Sequence, residues 1–448
     1  MNNNKLIIMV VNNYGSNDIR VSKSAELTVK YGYSCYVLCL SNSNKNELEI
    51  INGVHYYRLK KKYGVRSLLL GYFPELIKPL GKYLNLDLNF PLISENKKNL
   101  FNLNAVKSSE INHKEKFLFL EKILRFILKN EFIHSFLINV RQGSYLRTFY
   151  PFLKKNKAAI LYAHELPVLE TVIFASKYHK TRVIYDSHEL EVDRNQSWPK
   201  KSFEKYSSKE KKYIKFVDKV IVVSNGISLF MKNFYNIDNI MVVKNTPMLL
   251  QQKSCKKNLR DEINLKESTP LIVYIGSLTF NRGIENILKA LTKLESYHFA
   301  CVGPVNYTLL KKIKIISKSL KIENRVHLIR PVNPNILASY VSNANISIIP
   351  IQNTCKSHFY CLPNKIFESI YAGLPILGAN LNDIKEIINN ENIGEVCDMS
   401  DIESIVNGIK LIGRNKNYYN KNKIEKLRKK YSFEKEFQNV IKLYKSFF

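Results

Sequence analysis

Asn364, Lys365 and Glu368 stand close together in the stretch 359–388, FYCLPNKIFESIYAGLPILGANLNDIKEII. Leu362-Pro363-Asn364 reads as the start of a helix, because proline tolerates the first helical position, where its missing N–H costs nothing. Free amides at such a start attract an anion. A carboxylate one turn on, Glu368, can accept a pair of hydroxyls. A diphosphate on the amides and a ribose on the carboxylate would suit a sugar nucleotide. Elsewhere, His164 and His188 close two apolar runs, 158–164 (AAILYAH) and 182–188 (RVIYDSH), and each is followed by Glu-Leu. Ligands of open α/β sheets collect at the carboxyl ends of strands, so both histidines are placed for chemistry.

These residues need strands and helices to carry them. Ile366, Phe367, Ile370 and Tyr371 recur at helical spacing, Gly373 stops the helix, and Pro375 keeps it from resuming. A short apolar strand, 375–379, follows. Residues 5–11 (KLIIMVV) predict a first buried parallel strand, 12–18 a loop containing Gly15, 20–30 a helix, and 36–40 the next strand. That order opens a doubly wound fold. Residues 53–59 alternate as an edge or hairpin strand does. Helices are expected at 167–178, 203–216, 402–412 and 431–448. Further strands are expected at 218–224, 240–243, 271–275, 299–303, 326–328, 346–350 and 394–396. Ser224 is a plausible helix cap.

Length and composition bound the rest. A chain of 448 residues, 45% of them hydrophobic, predicts two domains with a core each. No run reaches the ~18 apolar residues that a membrane span needs, and the first residues lack the pattern of a signal peptide; a cytoplasmic protein is expected. The seven cysteines show no metal-ligand spacing, so free thiols and no metal site are expected. A net charge of +31 would suit nucleic acid, an anionic membrane or an acidic substrate. No nucleic-acid motif accompanies it. The run from Lys114, with Phe117, Leu118, Leu120, Ile123, Leu124, Ile127 and Leu128 on one face and many basic residues, predicts a helix able to lie on an anionic bilayer.

The stretch around LPNKIFE and AGLPI resembles the nucleotide-binding segment of retaining glycosyltransferases of family 4. Asp186-Ser187-His188-Glu189-Leu190 resembles that group's "D-x-HE" element, and His164-Glu165-Leu166 its companion one strand earlier. Asp18-Ile19-Arg20-Val21 resembles the family's "D-x-R-V" opening, and Asn245-Thr246-Pro247 its usual exit from the first domain. The likeness covers nearly the whole chain and is thinnest between residues 60 and 157. It implies a GT-B fold of two Rossmann-like, doubly wound α/β domains facing a central cleft. The expected boundaries are 1–247 for an acceptor domain, 248–269 for a linker and 270–427 for a nucleotide-sugar domain. A final helix, 428–448, is expected to pack back on the first domain.

The resemblance also implies site residues. Glu368 matches the second of the family's two glutamates, while Tyr360 stands where the first would be. Ser277, after Gly276, stands where the family has an arginine, and Arg282 where it has a lysine. Lys365 is the candidate for the missing cation. Donor binding is therefore expected from Gly276, Ser277, Arg282, Tyr360, Leu362, Pro363, Asn364, Lys365 and Glu368. His188, Arg282, Lys365 and Glu368 would serve catalysis, and Gly15, Asp18, Arg20, His164 and Glu189 would bind the acceptor. The implied activity moves a sugar from a nucleotide-sugar to a saccharide acceptor carried on a lipid, with retention, in bacterial surface polysaccharide synthesis at the inner face of the membrane. No cofactor is expected beyond the donor substrate. A GT-B sugar-nucleotide epimerase and a catalytically silent GT-B scaffold are the alternatives.

Overall fold

The computed structural model describes residues 5–62, 144–194, 200–279, 282–415 and 417–448. The basic run from Lys114, read as a surface helix, lies outside the described residues. The chain divides into two compact units: Met1–Asp186 with Ser197–Val220, and Ser187–Gln196 with Ile221–Phe448.

The apolar runs form strands, and these assemble into two sheets. In the first, β1 (Leu6–Val10), β2 (Ser34–Leu40), β3 (Glu47–Ile51), β4 (Val54–Leu59), β5 (Ile160–His164), β6 (Arg182–Ser187), β7 (Lys219–Val222) and β8 (Ile240–Val242) lie in the order β3-β4-β2-β1-β5-β6-β7-β8. Every residue of β1 and β5 is buried, as expected for strands covered on both faces. β1 runs parallel to β2, with Leu6 opposite Ser34, and parallel to β5, with Ile7 opposite Ile160. β3, which the sequence pattern did not mark, pairs antiparallel with β4. Asn52 and Gly53 join them with φ of 51° and 79°, the left-handed pair that an Asn-Gly hairpin turn requires.

The second sheet holds β9 (Leu271–Ile275), β10 (His298–Val302), β11 (Val326–Ile329), β12 (Ile346–Ile349), β13 (Ile376–Ala379) and β14 (Gly394–Cys397), in the order β11-β10-β9-β12-β13-β14. Its pairs are parallel throughout. The helix Asn364–Ala372 turns Ile366, Phe367 and Ile370 into the core shared with Ile348 and Ile349. Burying each of those side chains is worth about 1.5–3 kcal/mol. A buried serine pair pins the helix to β12, Ser347 Oγ lying 2.6 Å from Ser369 Oγ. At its far end Gly373 is left-handed, with φ 69°, and the Tyr371 hydroxyl donates to the Arg428 carbonyl at 3.0 Å.

Within residues 248–269, Leu259–Glu262 forms a short helix with a capping box between Asn258 and Asp261. Arg260 ties this segment down through the carbonyls of Lys266, Thr269 and Asn343. The last helix, Phe433–Phe447, offers Glu434 to the amides of Leu249 and Leu250, and Glu436 to that of Lys244. All seven cysteines are free thiols. Among the described residues no helix is long and apolar enough to cross a membrane.

Candidate functional site

In the second unit the end of β9 and the start of the helix Asn364–Ala372 come together. Gly276 follows β9 with φ 106°, and its N–H donates to the Val302 carbonyl at 2.8 Å. A Cβ there would lie 2.8 Å from Lys365 Nζ. The glycine therefore serves two needs, a left-handed backbone and room for an ammonium group. Lys365 Nζ also sits 5.2 Å from the ring centroid of Tyr274, whose hydroxyl donates to the Ser277 carbonyl at 2.9 Å. Arg282 stands just before the helix Ile284–Thr292, and its Nε–H donates to Thr279 Oγ1 at 3.2 Å.

The electrostatics bind these residues into one cluster. Burial pushes the Lys365 ammonium down to about 8, and repulsion from Arg282 adds to the effect, while Glu368 and Cys361 act the other way. Burial pushes the Cys361 thiol up to about 12, against the pull of Arg282 and Lys365. Tyr274 is raised by burial too, and it feels both Arg282 and Glu368. Pro363 occupies the N-cap position of Asn364–Ala372, and no side chain caps the first turn. Amides, a lysine and an arginine thus gather around one spot, with Glu368 on the next turn. Such a spot attracts an anion. Leu362 is buried beneath it as core, and Asn364 is exposed.

His188 and Glu189 follow β6 and are half-buried. Burial alone would raise the Glu189 carboxyl, but Arg194, then Arg282 and His188, hold it below the usual carboxylate range. Its carboxylate accepts from Arg194 Nη2 at 2.8 Å. Glu189 thus falls within electrostatic reach of both Arg282 and His188. Sequence reading passed over Arg194 and His358. Burial first, and Arg282 second, lower the His358 imidazole. The one available signal for Arg194 was its distance of five residues from Glu189 across a short helical turn, Glu191–Asp193.

Tyr360 has a packing role in this structure. Its ring centroid lies 5.7 Å from that of Phe230 and 4.8 Å from that of Phe359, and its carbonyl accepts from Ser224 Oγ at 2.7 Å. Ser224 also caps the helix Asn225–Tyr235 through the Ile227 amide. Asp383 accepts the amides of Asn225 and Gly226, an acidic group held at a helix N-terminus. This braces the chain just ahead of Leu362-Pro363-Asn364.

The remaining acceptor candidates lie in the first unit and are engaged within the fold. Gly15 has φ 82°, and a Cβ on it would meet Cys39 Sγ at 3.0 Å. Asp18 caps the helix Ile19–Lys30 through the amides of Arg20 and Val21, and also accepts from Asn13 Nδ2 at 2.9 Å. Arg20 is 3% exposed and grips Asp186 with Nε at 3.0 Å and Nη2 at 2.9 Å. Burial would lower the guanidinium, but Asp186 outweighs it and the net shift is upward. The Tyr162 hydroxyl donates to Asp186 Oδ2 at 3.1 Å, His164 Nδ1 lies 3.6 Å from the same oxygen, and the two rings stack at 4.5 Å.

Residues 256–430 match the family described as Glycosyl transferases group 1. That stretch is a domain of this kind. It contains Gly276, Ser277, Arg282, Tyr360, Lys365 and Glu368. The chain is similar to a protein of Haemophilus influenzae described as an uncharacterized glycosyltransferase, 24% identical over 207 residues, 45% of this chain and 53% of that one. It spans about half the length of the curated relatives it matches. Among solved structures, sucrose-phosphate synthase from Thermosynechococcus elongatus superposes with a TM-score of 0.71 at 13% identity, over 99% of this chain and 98% of that one. The Anabaena protein HepE in complex with UDP-glucose superposes with a TM-score of 0.62 at 10% identity, over 98% and 99%. The fold is GT-B, with two Rossmann-like parallel-sheet domains.

Proposed function

We propose that the protein is a glycosyltransferase that binds a nucleotide-sugar at the cluster of Gly276, Arg282, Lys365 and Glu368 and moves its sugar to a saccharide acceptor. The observation that carries this reading is the pairing of two mutually repelling cations with an uncapped helix start, inside the stretch that matches group 1 glycosyl transferases. In this reading the diphosphate lies on the amides of the first turn, between Lys365 and Arg282. Arginine suits that task because its planar fork meets two phosphate oxygens at once. The same cations stabilise the charge that builds on the diphosphate as the glycosidic bond breaks. Glu368 accepts the ribose hydroxyls. His188 is a sugar-hydroxyl ligand or a local electrostatic stabiliser, with Glu189 beside it on the acceptor side.

Uridine is the first base to try, since a fold neighbour is described in complex with UDP-glucose. Likeness to family 4 favours retention, the leaving diphosphate taking the acceptor's proton on the same face of the sugar. An acceptor carried on a lipid and a role in surface polysaccharide assembly follow from the same likeness. Peripheral contact with an anionic membrane accords with the net charge of +31. The test is a thermal-shift panel of UDP, GDP, ADP, CMP and their common sugar conjugates. A ligand raises the melting temperature by mass action. One nucleotide family should raise it in the wild type and fail to do so in Glu368→Ala. No shift with any of them sinks the donor reading in favour of a silent scaffold. Consumption of the donor without an acceptor would point to an epimerase instead.

A further inference from the structure

Far along the sequence from the nucleotide cluster, the first unit carries a face where aromatic rings and ammonium groups alternate. The helix Leu166–His179 buries Val168, Leu169, Val172 and Ile173 and turns Phe174, Lys177 and Tyr178 outward. Phe174 is 40% exposed and Tyr178 56%. The helix Lys200–Ile214 ends beside it. There the Tyr213 hydroxyl bonds Glu170, and the Tyr213 ring meets that of Phe174 edge-on at 6.4 Å. The turn that follows leaves Phe216 43% exposed. Lys177 Nζ lies 3.8 Å from the Phe216 ring centroid, Lys215 Nζ lies 5.3 Å from it, and Lys154 Nζ lies 5.0 Å from that of Tyr178. The nearby acids already have partners, Glu170 in Lys209 and Tyr213, and Asp218 in Arg182.

We propose that this face docks on an anionic lipid bilayer, with Phe174, Tyr178 and Phe216 seated at the headgroup level and Lys154, Lys177 and Lys215 on lipid phosphates. The proposal names the surface for the membrane contact suggested above and rests on that reading. Exposed rings gathered in one patch cost free energy in water, and they are relieved at an interface that is apolar on one side and wet on the other. Lysines laid over those rings keep their charge at the rim, as snorkelling side chains do. A nucleic-acid partner would favour arginine forks, and the guanidinium bordering the patch, Arg182, is held by Asp218.

Sedimentation of the full chain with vesicles tests this. The two compositions are phosphatidylcholine alone and phosphatidylcholine with one-third phosphatidylglycerol. The wild type should pellet with the anionic vesicles and stay in solution with the neutral ones. Phe174→Ser with Phe216→Ser, which keeps every lysine, should weaken binding about tenfold. Lys177→Ala with Lys215→Ala should weaken it about fivefold per lysine, and added salt should mimic that loss. All four positions face solvent, so unchanged melting temperatures are expected and certify the comparison. If the double phenylalanine variant pellets like the wild type, charge alone holds the protein and the proposal falls. If wild type ignores anionic vesicles, it falls as well. Nucleotide-induced thermal shifts, read on the same variants, should persist. Their absence from the wild type would count against the donor reading and leave the vesicle result standing.

Discussion

Arg20 in the first unit and Arg282 in the second both follow a glycine-bearing loop after a strand, yet they are held in opposite ways. Arg20 is buried against Asp186, with Tyr162 on the same carboxylate, and its protonated form is reinforced. Arg282 has a threonine hydroxyl as its hydrogen-bond acceptor, a lysine that it repels, and the Glu189 carboxylate within electrostatic reach but already bonded to Arg194. A charge that holds a fold together is matched by its opposite inside the chain. On the proposed reading, a charge kept for a ligand is instead set beside a like charge, as Arg282 is beside Lys365. In that reading, the contrast is between a structural cation and a binding one.

The largest effect should come from breaking the matched pair. Asp186→Ala leaves a buried guanidinium uncompensated and should cost about 3–5 kcal/mol in urea unfolding; a loss under about 1 kcal/mol would mean that the pair is not structural. Lys365→Met should do the reverse. Folding stability should hold or rise, because a repelled charge is gone, while affinity for a UDP-sugar (or whichever conjugate the panel selects) falls by about 1.5–3 kcal/mol in titration calorimetry. Gly276→Ala places a methyl on the ammonium and on a left-handed backbone, so a loss of about 1–3 kcal/mol in stability is expected, together with weaker donor binding. Thermal unfolding and calorimetry on one preparation check both.

The smallest effect is a pH dependence with two signs. The folded-state Lys365 is pushed down to about 8 from an ordinary value near 10.4. Between those values the unfolded chain binds more protons, so the lysine's share of stability grows as pH rises through 8. On the proposed reading donor binding needs the charged form, so affinity should be steady at pH 7 and fall as pH rises through 8. A nucleotide-sugar has no phosphate ionising in that range, which keeps the reading clean. In Lys365→Met both slopes should vanish, and a slope that persists assigns the titration to another group.

Much of the scaffold was legible because buried parallel strands are apolar without interruption. Residues 5–11, 271–275 and 346–350 read directly as strands, and Gly373 marked a helix end to the residue. β3 escaped because it is a short, uncovered edge strand, with Leu48 and Ile50 both exposed, and it has no buried apolar run to mark it. Asp18 and Arg20 looked like ligands of an acceptor, since their types suit either task. Asp18 finds its partners nearby, in Asn13 and the amides of Arg20 and Val21, whereas Arg20 finds Asp186 166 residues away, where local pattern cannot reach. Tyr360 was conspicuous as a departure from a motif, but its contact with Phe230 depends on packing. The Gly276–Lys365 approach likewise joins residues distant in the chain, while Arg282, Lys365 and Glu368 stood out because each sits at or near a helix start.

The strand order has a consequence for how the chain is made. β1 lies between β2 and β5, and Ile7 waits for Ile160. At about 5–20 residues per second, synthesis of the intervening chain takes roughly 8–30 s. Through that interval one flank of Leu6–Val10, a strand with no exposed residue in the finished fold, has no partner strand. The nascent chain is thus most vulnerable at Leu6–Val10, and a chaperone that shields this strand would raise the yield of folded chain more than one acting on the second sheet.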